Sequence, residues 1–226
     1  MLLMLRKVQM MIKNPQFYTV IIGTELLNGR RQDSHFEVVN AQLVARGWNQ
    51  KANFVIKDNP RFLEDVFLLI QSDPDSVMFS FGGIGSTPDD YTRQVAATAF
   101  TGQGVVRHKE AEEIIIKRLG QRAFPHPIAM ADLPAGAKLV ANPVNQMPGF
   151  QLSDRFFFVP GFPEMAHPMV IAALDTFYPQ NRATYSCNFI VNCSEAALID
   201  IMSVLPDDLS LSCLPSSAGG KYTSEM

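Results

Sequence analysis

The chain has 226 residues, a net charge of −3 and a pI near 5.8, with 47% hydrophobic and 18% charged residues. That composition can fill a core, which excludes a disordered chain, and the acidic balance leaves no basic field to collect nucleic acid. The apolar start, residues 1–11, is interrupted by Arg6 and Lys7 and is too broken for a signal peptide; no later run reaches membrane-span length, so a cytoplasmic protein with no membrane partner is expected.

Strands and helices alternate along the chain. Residues 17–22 are an apolar strand. Ser34 and Glu37 then have capping-box spacing, and Phe36, Val39, Leu43 and Val44 fall on one helical face until Gly47 ends the helix. Residues 48–56 read as the second strand. Asn59-Pro60 opens a helix whose apolar stripe is Phe62, Val66, Leu69 and Ile70. Residues 76–81 are the third strand, and Tyr91, Val95, Ala96 and Ala99 form the buried side of the helix after it. Residues 109–124 are helical again. A stretch rich in proline and glycine follows, 125–150, holding one short strand at 138–141.

Residues 155–159 return to strand, and 163–177 to helix. Regular alternation of this kind predicts a mostly parallel sheet covered on both faces, a three-layer α/β/α domain over 1–180. A boundary falls near 178–181. Beyond it, 185–191, 194–205 and 209–214 read as strand, helix and strand, a small βαβ appendage over 183–226 that lacks a last strand, with a mobile polar tail from 216. The cysteines, Cys187, Cys193 and Cys213, all lie in this part and read as reduced core thiols.

One segment carries chemistry. Strand 76–81 runs into Gly82-Gly83-Ile84-Gly85-Ser86-Thr87-Pro88-Asp89-Asp90-Tyr91-Thr92. Glycines there permit a sharp turn and a close approach to a ligand, and the first turn of a helix opening at Pro88 would present free N–H groups to phosphate. Asp89 and Asp90 in that turn would repel a bare phosphate, a conflict that a divalent cation between acid and phosphate removes. The alternative is that both acids only complement the helix dipole and Thr87 caps the helix. In a doubly wound sheet, ligands sit beyond the carboxyl ends of the strands, so Gly23-Thr24-Glu25, Asp58-Asn59 and the glycine loop should converge on one pocket. There Asp58, Asp89, Asp90 and Glu25 would hold a metal or give one acid the raised pKa of a general base.

The loop resembles the GGxGxTxDDxT motif of the molybdopterin-binding superfamily, and more closely that of the N-terminal domain of the competence/damage-inducible protein CinA and its short stand-alone relatives. Ile22-Gly23-Thr24-Glu25-Leu26-Leu27-Asn28-Gly29 is similar to that group's first strand-loop. Asn142-Pro143 with Pro148-Gly149-Phe150, and Val159-Pro160-Gly161-Phe162-Pro163-Glu164-Met165, are similar to its later loops. The resemblance covers about residues 17–178.

The resemblance implies a pyrophosphate-containing nucleotide or a pterin as ligand, molybdopterin among them, and metal-dependent hydrolysis of an ADP-ribose-like pyrophosphate with Mg²⁺, Mn²⁺ or Co²⁺. The alternatives are a non-catalytic binder of molybdopterin or molybdenum cofactor, and a homologue kept for assembly with a partner. Asp58 and Asp90 would be catalytic, and Asp89 and Asp90 metal ligands. Gly23, Thr24, Glu25, Gly82, Gly83, Gly85, Ser86, Thr87, Thr92, Asn142, Gly161 and Glu164 would contact the ligand, with the N–H groups of Gly83 to Thr87 cradling a phosphate. Arg30 or Arg31 would grip an anion. For Asn142, a turn built around the flanking prolines is the competing reading. The family is often oligomeric, so a homo-oligomer is expected. The deamidation associated with longer CinA proteins is expected to be absent. Where the CinA group commonly carries Asn-Thr-Asn, this chain has Asp33-Ser34-His35, which exchanges two amides for a carboxylate and an imidazole.

Overall fold

The structure is a computed structural model that describes residues 12–179, 185, 187–206, 209, 211–218 and 221–225. The apolar start and half of the expected domain boundary lie outside the described residues. The chain divides into two compact units, Met1–Arg182 and Ala183–Met226.

The first unit runs β1 (Gln16–Ile22), α1 (Thr24–Leu27), α2 (His35–Val44), β2 (Gln50–Ile56), α3 (Pro60–Gln71), β3 (Ser76–Phe81), α4 (Thr92–Thr101), β4 (Val105–Arg107), α5 (Lys109–Leu119), β5 (Asp132–Pro134), β6 (Lys138–Val140), β7 (Gly149–Leu152), β8 (Phe156–Val159) and α6 (Pro163–Phe177). Six strands form one sheet in the order β2-β1-β3-β8-β7-β6. The first four are parallel, and β7 and β6 add an antiparallel edge. A separate antiparallel pair joins β4 to β5.

Period-two alternation splits β1 between two cores. Tyr18, Val20 and Ile22 face one cluster with Leu63, Val66, Phe67 and Ile70 of α3 and Val95 and Ala96 of α4. Phe17 and Ile21 face the other, with Val39 and Leu43 of α2 and Ala166, Met169, Val170 and Leu174 of α6. This is the expected three-layer α/β/α arrangement. In the first layer, Phe150 stacks on Phe158 at 4.4 Å and Phe100 on Phe156 at 4.3 Å. Such pairs add about 0.5–1.5 kcal/mol each beyond their burial.

The helices present faces other than those expected. On α2 the buried residues are His35, Val39 and Leu43, while Phe36 and Val44 are exposed. Spacing of four selects that row, and Val39 and Leu43 in it pack on α6. Ser34 makes no capping bond; the Asp33 carboxylate accepts from the N–H groups of His35 (2.8 Å) and Phe36 (3.1 Å) and caps the helix instead. On α3, Leu63, Val66, Phe67 and Ile70 are buried, and Phe62 and Leu69 are exposed. On α4, Tyr91 precedes the helix and is exposed. The predicted helix 109–124 ends at Leu119, with a 3-10 turn over Gly120–Ala123. Strands β4, β5 and β7 were hidden from the residue pattern by their three- and four-residue lengths.

The second unit holds β9 (Ile190–Val191), a 3-10 turn (Glu195–Leu198) running into α7 (Ile199–Met202), β10 (Leu214–Ala218) and β11 (Lys221–Glu225). Its sheet is antiparallel, ordered β10-β11-β9. The expected strand at 209–214 and mobile tail from 216 are therefore corrected: the polar tail is a hairpin, held by backbone bonds that need no apolar side chain. The predicted core thiols are corrected too, since Cys187 is exposed and Cys193 and Cys213 are half-buried, all unpaired. Among the described residues, no helix is long and apolar enough to cross a membrane.

Candidate functional site

Four parallel strands deliver four loops to one end of the sheet, and a cleft of about 570 Å³ opens there. Its lining includes Gly23 and Glu25 after β1, Asp58 after β2, Gly82 to Thr87 with Asp89 and Asp90 after β3, and Pro160 and Gly161 after β8. Of the expected site residues, Gly23, Glu25, Asp58, Gly82, Gly83, Gly85, Ser86, Thr87, Asp89, Asp90 and Gly161 thus meet in one place.

The glycine loop keeps its shape through close contacts. Gly82 (φ +95°) packs against the Ile22 carbonyl, where an added Cβ would sit 2.8 Å from the oxygen. Gly83 (φ +67°) leaves no room either, since a Cβ would lie 2.2 Å from Thr92 Oγ1. Thr92 is buried and holds the loop from beneath: its hydroxyl donates to the Gly82 carbonyl (3.0 Å) and its N–H to the Gly83 carbonyl (3.0 Å). It therefore positions the loop and does not line the cleft.

The helix begins at Thr92, not at Pro88, so Asp89 and Asp90 belong to a turn ahead of it. Asp90 Oδ2 accepts from the N–H of Thr87 (2.7 Å) and from its hydroxyl. That bond removes Thr87 from the expected phosphate cradle. The N–H groups of Gly83, Ile84, Gly85 and Ser86 have no acceptor among the described residues, while all four residues line the cleft.

Asp58 is held in the same manner as Asp90. Its Oδ2 accepts from Thr24 N–H (2.9 Å) and Thr24 Oγ1 (2.8 Å), so Thr24 orients the acid. Each aspartate is left with an Oδ1 that has no partner among the described residues. Asn59, not Asp58, caps α3, accepting from Phe62 N–H at 3.0 Å.

Two expectations are corrected. Asn142 is buried and spends its amide on the turn, donating to Asn145 Oδ1 (2.8 Å) and accepting from Val144 N–H (3.0 Å). Asn145 reaches the cleft in its place. Glu164 is exposed in the first turn of α6, outside the cleft lining, where the helix dipole favours an acid. Arg31 lines the cleft; Arg30 Nε turns to Asn28 Oδ1 at 3.2 Å.

Residue patterns also missed an apolar wall and a buried anchor. Met130, Met147, Met165, Ile84 and Phe162 line the cleft, and Phe162 is half exposed, as a platform for a planar ring would be. Arg93 is 3% exposed, and burial holds its guanidinium below the ordinary arginine value. It donates to the carbonyls of Gly85 (2.7 Å), Asp132 (3.1 Å) and Ala129, tying the glycine loop to the segment that carries Met130. An arginine buried on an α4 face was the available signal, because an unpaired one is costly there.

Among the described residues, no group of three or more His, Cys, Asp or Glu side chains is placed to hold a metal ion. The predicted Asp89–Asp90 metal site does not fit this arrangement: Asp90 is half committed to Thr87, and Asp58 to Thr24.

The chain is similar to a CinA-like protein of Acaryochloris marina, 32% identical over 157 residues, covering 66% of this chain and 37% of the relative. A CinA-like protein of Geotalea uraniireducens is 33% identical over 155 residues, covering 66% and 36%. The match therefore spans little more than a third of these curated relatives. The crystal structure of the protein CinA from Thermoplasma acidophilum superposes with a TM-score of 0.64 at 24% identity, over 71% of this chain and 97% of that one, a likeness of fold. Residues 18–179 match the family model described as probable molybdopterin binding domain, and the chain belongs to that family.

Proposed function

We propose that the cleft binds a nucleotide or pterin ligand through a phosphate or pyrophosphate group. The observation that carries this reading is the run of free N–H groups, Gly83 to Ser86, on a loop whose glycines admit no side chain. Consecutive unpaired amides suit an anionic oxygen. The methionine and phenylalanine wall accepts a flat ring, and the free Oδ1 atoms of Asp58 and Asp90 accept N–H or O–H donors of the ligand. Among the described residues, the cleft lining has one cation, Arg31, to set against Glu25, Asp58, Asp89 and Asp90. The amides would donate to the ligand's anionic oxygens, and the acids would accept from its N–H or O–H groups.

Hydrolysis of an ADP-ribose-like pyrophosphate is the second reading, favoured by the threonine clamps. Each clamp fixes a carboxylate, which suits a base that must face an attacking water. No step through a metal is derived, because the described residues do not assemble one.

Calorimetric titration with ADP-ribose, FAD and ATP, each with and without Mg²⁺, Mn²⁺ or Co²⁺, tests both readings, with product analysis alongside. Binding that weakens at least tenfold in Asp90→Asn, and product formed only by the unsubstituted chain, is the expected pattern. Absence of binding by all three ligands and by molybdopterin would overturn the ligand reading. Binding without product would overturn the hydrolytic one.

A further inference from the structure

The large sheet ends at β6, which pairs with β7 on one side and, among the described residues, with no strand on the other. An edge strand leaves backbone N–H and C=O groups that a further strand can pair with, and a free lysine commonly guards such an edge. Here Lys138 Nζ is turned back to both oxygens of Asp154, each at 2.7 Å, so its charge is spent within the chain. Beside β6 runs α5. Ala111 and Ile115 of the helix share a core cluster with Leu139 of the strand, and a groove of about 590 Å³ is lined by both elements.

The wall that α5 gives this groove is charged at its two ends and apolar between them. Glu110, Ile114, Lys117 and Arg118 form it, and the three charged side chains are exposed. At a rise of about 1.5 Å per residue, Glu110 and Arg118 stand roughly 6 Å on either side of Ile114 and roughly 12 Å from each other, too far apart to pair. None of the three charges makes an ion pair among the described residues. A second α5 laid antiparallel, with the two Ile114 side chains together, would set Glu110 of each helix against Lys117 and Arg118 of the other. The stripe is its own complement. An acidic peptide in the groove would satisfy Lys117 and Arg118 but repel Glu110, whereas a second copy of the chain satisfies all three.

We propose that two copies of this chain meet at the α5–β6 face, about a two-fold axis perpendicular to the sheet. That rotation sets β6 antiparallel to its mate, which continues the sheet across the interface, and sets the two α5 helices antiparallel on one side of it. Each charge contact is then made twice. The strand contributes only three residues, so the interface is small and the dissociation constant on the order of micromolar. Ligand binding in the cleft is not required for it.

Sedimentation equilibrium of the full chain tests the proposal, and the unsubstituted protein should dimerise in the micromolar range. Glu110→Arg makes the stripe wholly positive, and Lys117→Glu combined with Arg118→Glu makes it wholly negative. Each variant alone should self-associate roughly a hundredfold more weakly, about tenfold for each of the two symmetric contacts. Mixed in equal amounts, the two variants should pair with each other to within about tenfold of the original affinity, because every stripe again meets its opposite. Mixing cannot repair a misfolded chain, so recovery separates the interface from damage to the helix. If circular dichroism shows that either variant is unfolded, Glu110→Gln serves in its place and should weaken the dimer roughly tenfold; no weakening would overturn the interface. A chain that stays monomeric throughout the micromolar range, a dimer indifferent to both reversals, or folded variants that do not pair on mixing would each overturn it as well.

Discussion

The two ends of the parallel sheet are built from the same residue types and treat them in opposite ways. At the amino ends of β1, β2, β3 and β8, the charged groups Asp73, Lys51 and Arg155 all have partners. Asp73 accepts from Tyr18 Oη (2.8 Å), Lys51 Nζ (2.7 Å) and Asp75 N–H (3.0 Å). Arg155 donates to the carbonyls of Ser76 (2.8 Å) and Asp73 (2.9 Å) and to Ser76 Oγ (2.6 Å). At the carboxyl ends, four loop amides, two aspartate oxygens and a histidine nitrogen stay unpaired among the described residues. Paired polar groups hold a fold together, and unpaired ones are kept in readiness for something that is not protein.

That contrast predicts a division between stability and binding. The largest effect on stability should come from the amino end, where Arg155→Ala strips donors from two carbonyls and costs about 2–4 kcal/mol in urea unfolding. Ligand affinity should not change in that variant. Gly83→Ala at the other end should cost less, about 1–3 kcal/mol, through its positive φ and the contact with Thr92. It should nevertheless abolish nucleotide binding. A Gly83→Ala protein that binds as well as the original would break the comparison.

Acid should act on the two ends in sequence. Burial is the largest influence on His35 and His167 and holds both below the ordinary value of 6.5, with Asp33 pulling the other way. The folded protein therefore takes up these protons less readily than the unfolded chain. Their contribution is complete above 6.5 and declines as pH falls through 6.5 toward the lower folded values. Asp73 is opposed by burial, but bonds from Lys51 and Tyr18 bring its carboxyl below 3.8, so its contribution is complete above 3.8 and disappears only in stronger acid. Urea midpoints between pH 8 and pH 3 should show two separate declines, and His35→Phe should shrink the first. The smallest effect belongs to Tyr18→Phe, about 1 kcal/mol, the loss of one hydrogen bond to Asp73.

Much of this was legible in the residue order. Apolar runs such as 76–81 and the glycine-acid loop after them placed the parallel strands and the cleft at their ends, because buried strands and phosphate loops each need a restricted set of residues. Helix faces were less legible. Phe36, Phe62 and Leu69 are apolar yet exposed, and one step around a helix separates them from the buried row. The partners of loop side chains could not be read at all. Thr87 claims Asp90, Thr24 claims Asp58 and Asn145 claims Asn142, and each pairing depends on backbone geometry that composition does not carry. The second unit misled for a related reason, since a hairpin such as β10–β11 is closed by main-chain bonds and leaves little trace in hydrophobic pattern.

The most direct measurement is a backbone amide NMR titration with ADP-ribose, followed residue by residue. The account predicts that Gly83, Ile84, Gly85 and Ser86 shift most and Gly161 next, while Asp73, Ser76 and Arg155 stay in place. Shifts concentrated at the amino end, or a glycine loop that does not respond at saturating nucleotide, would contradict it.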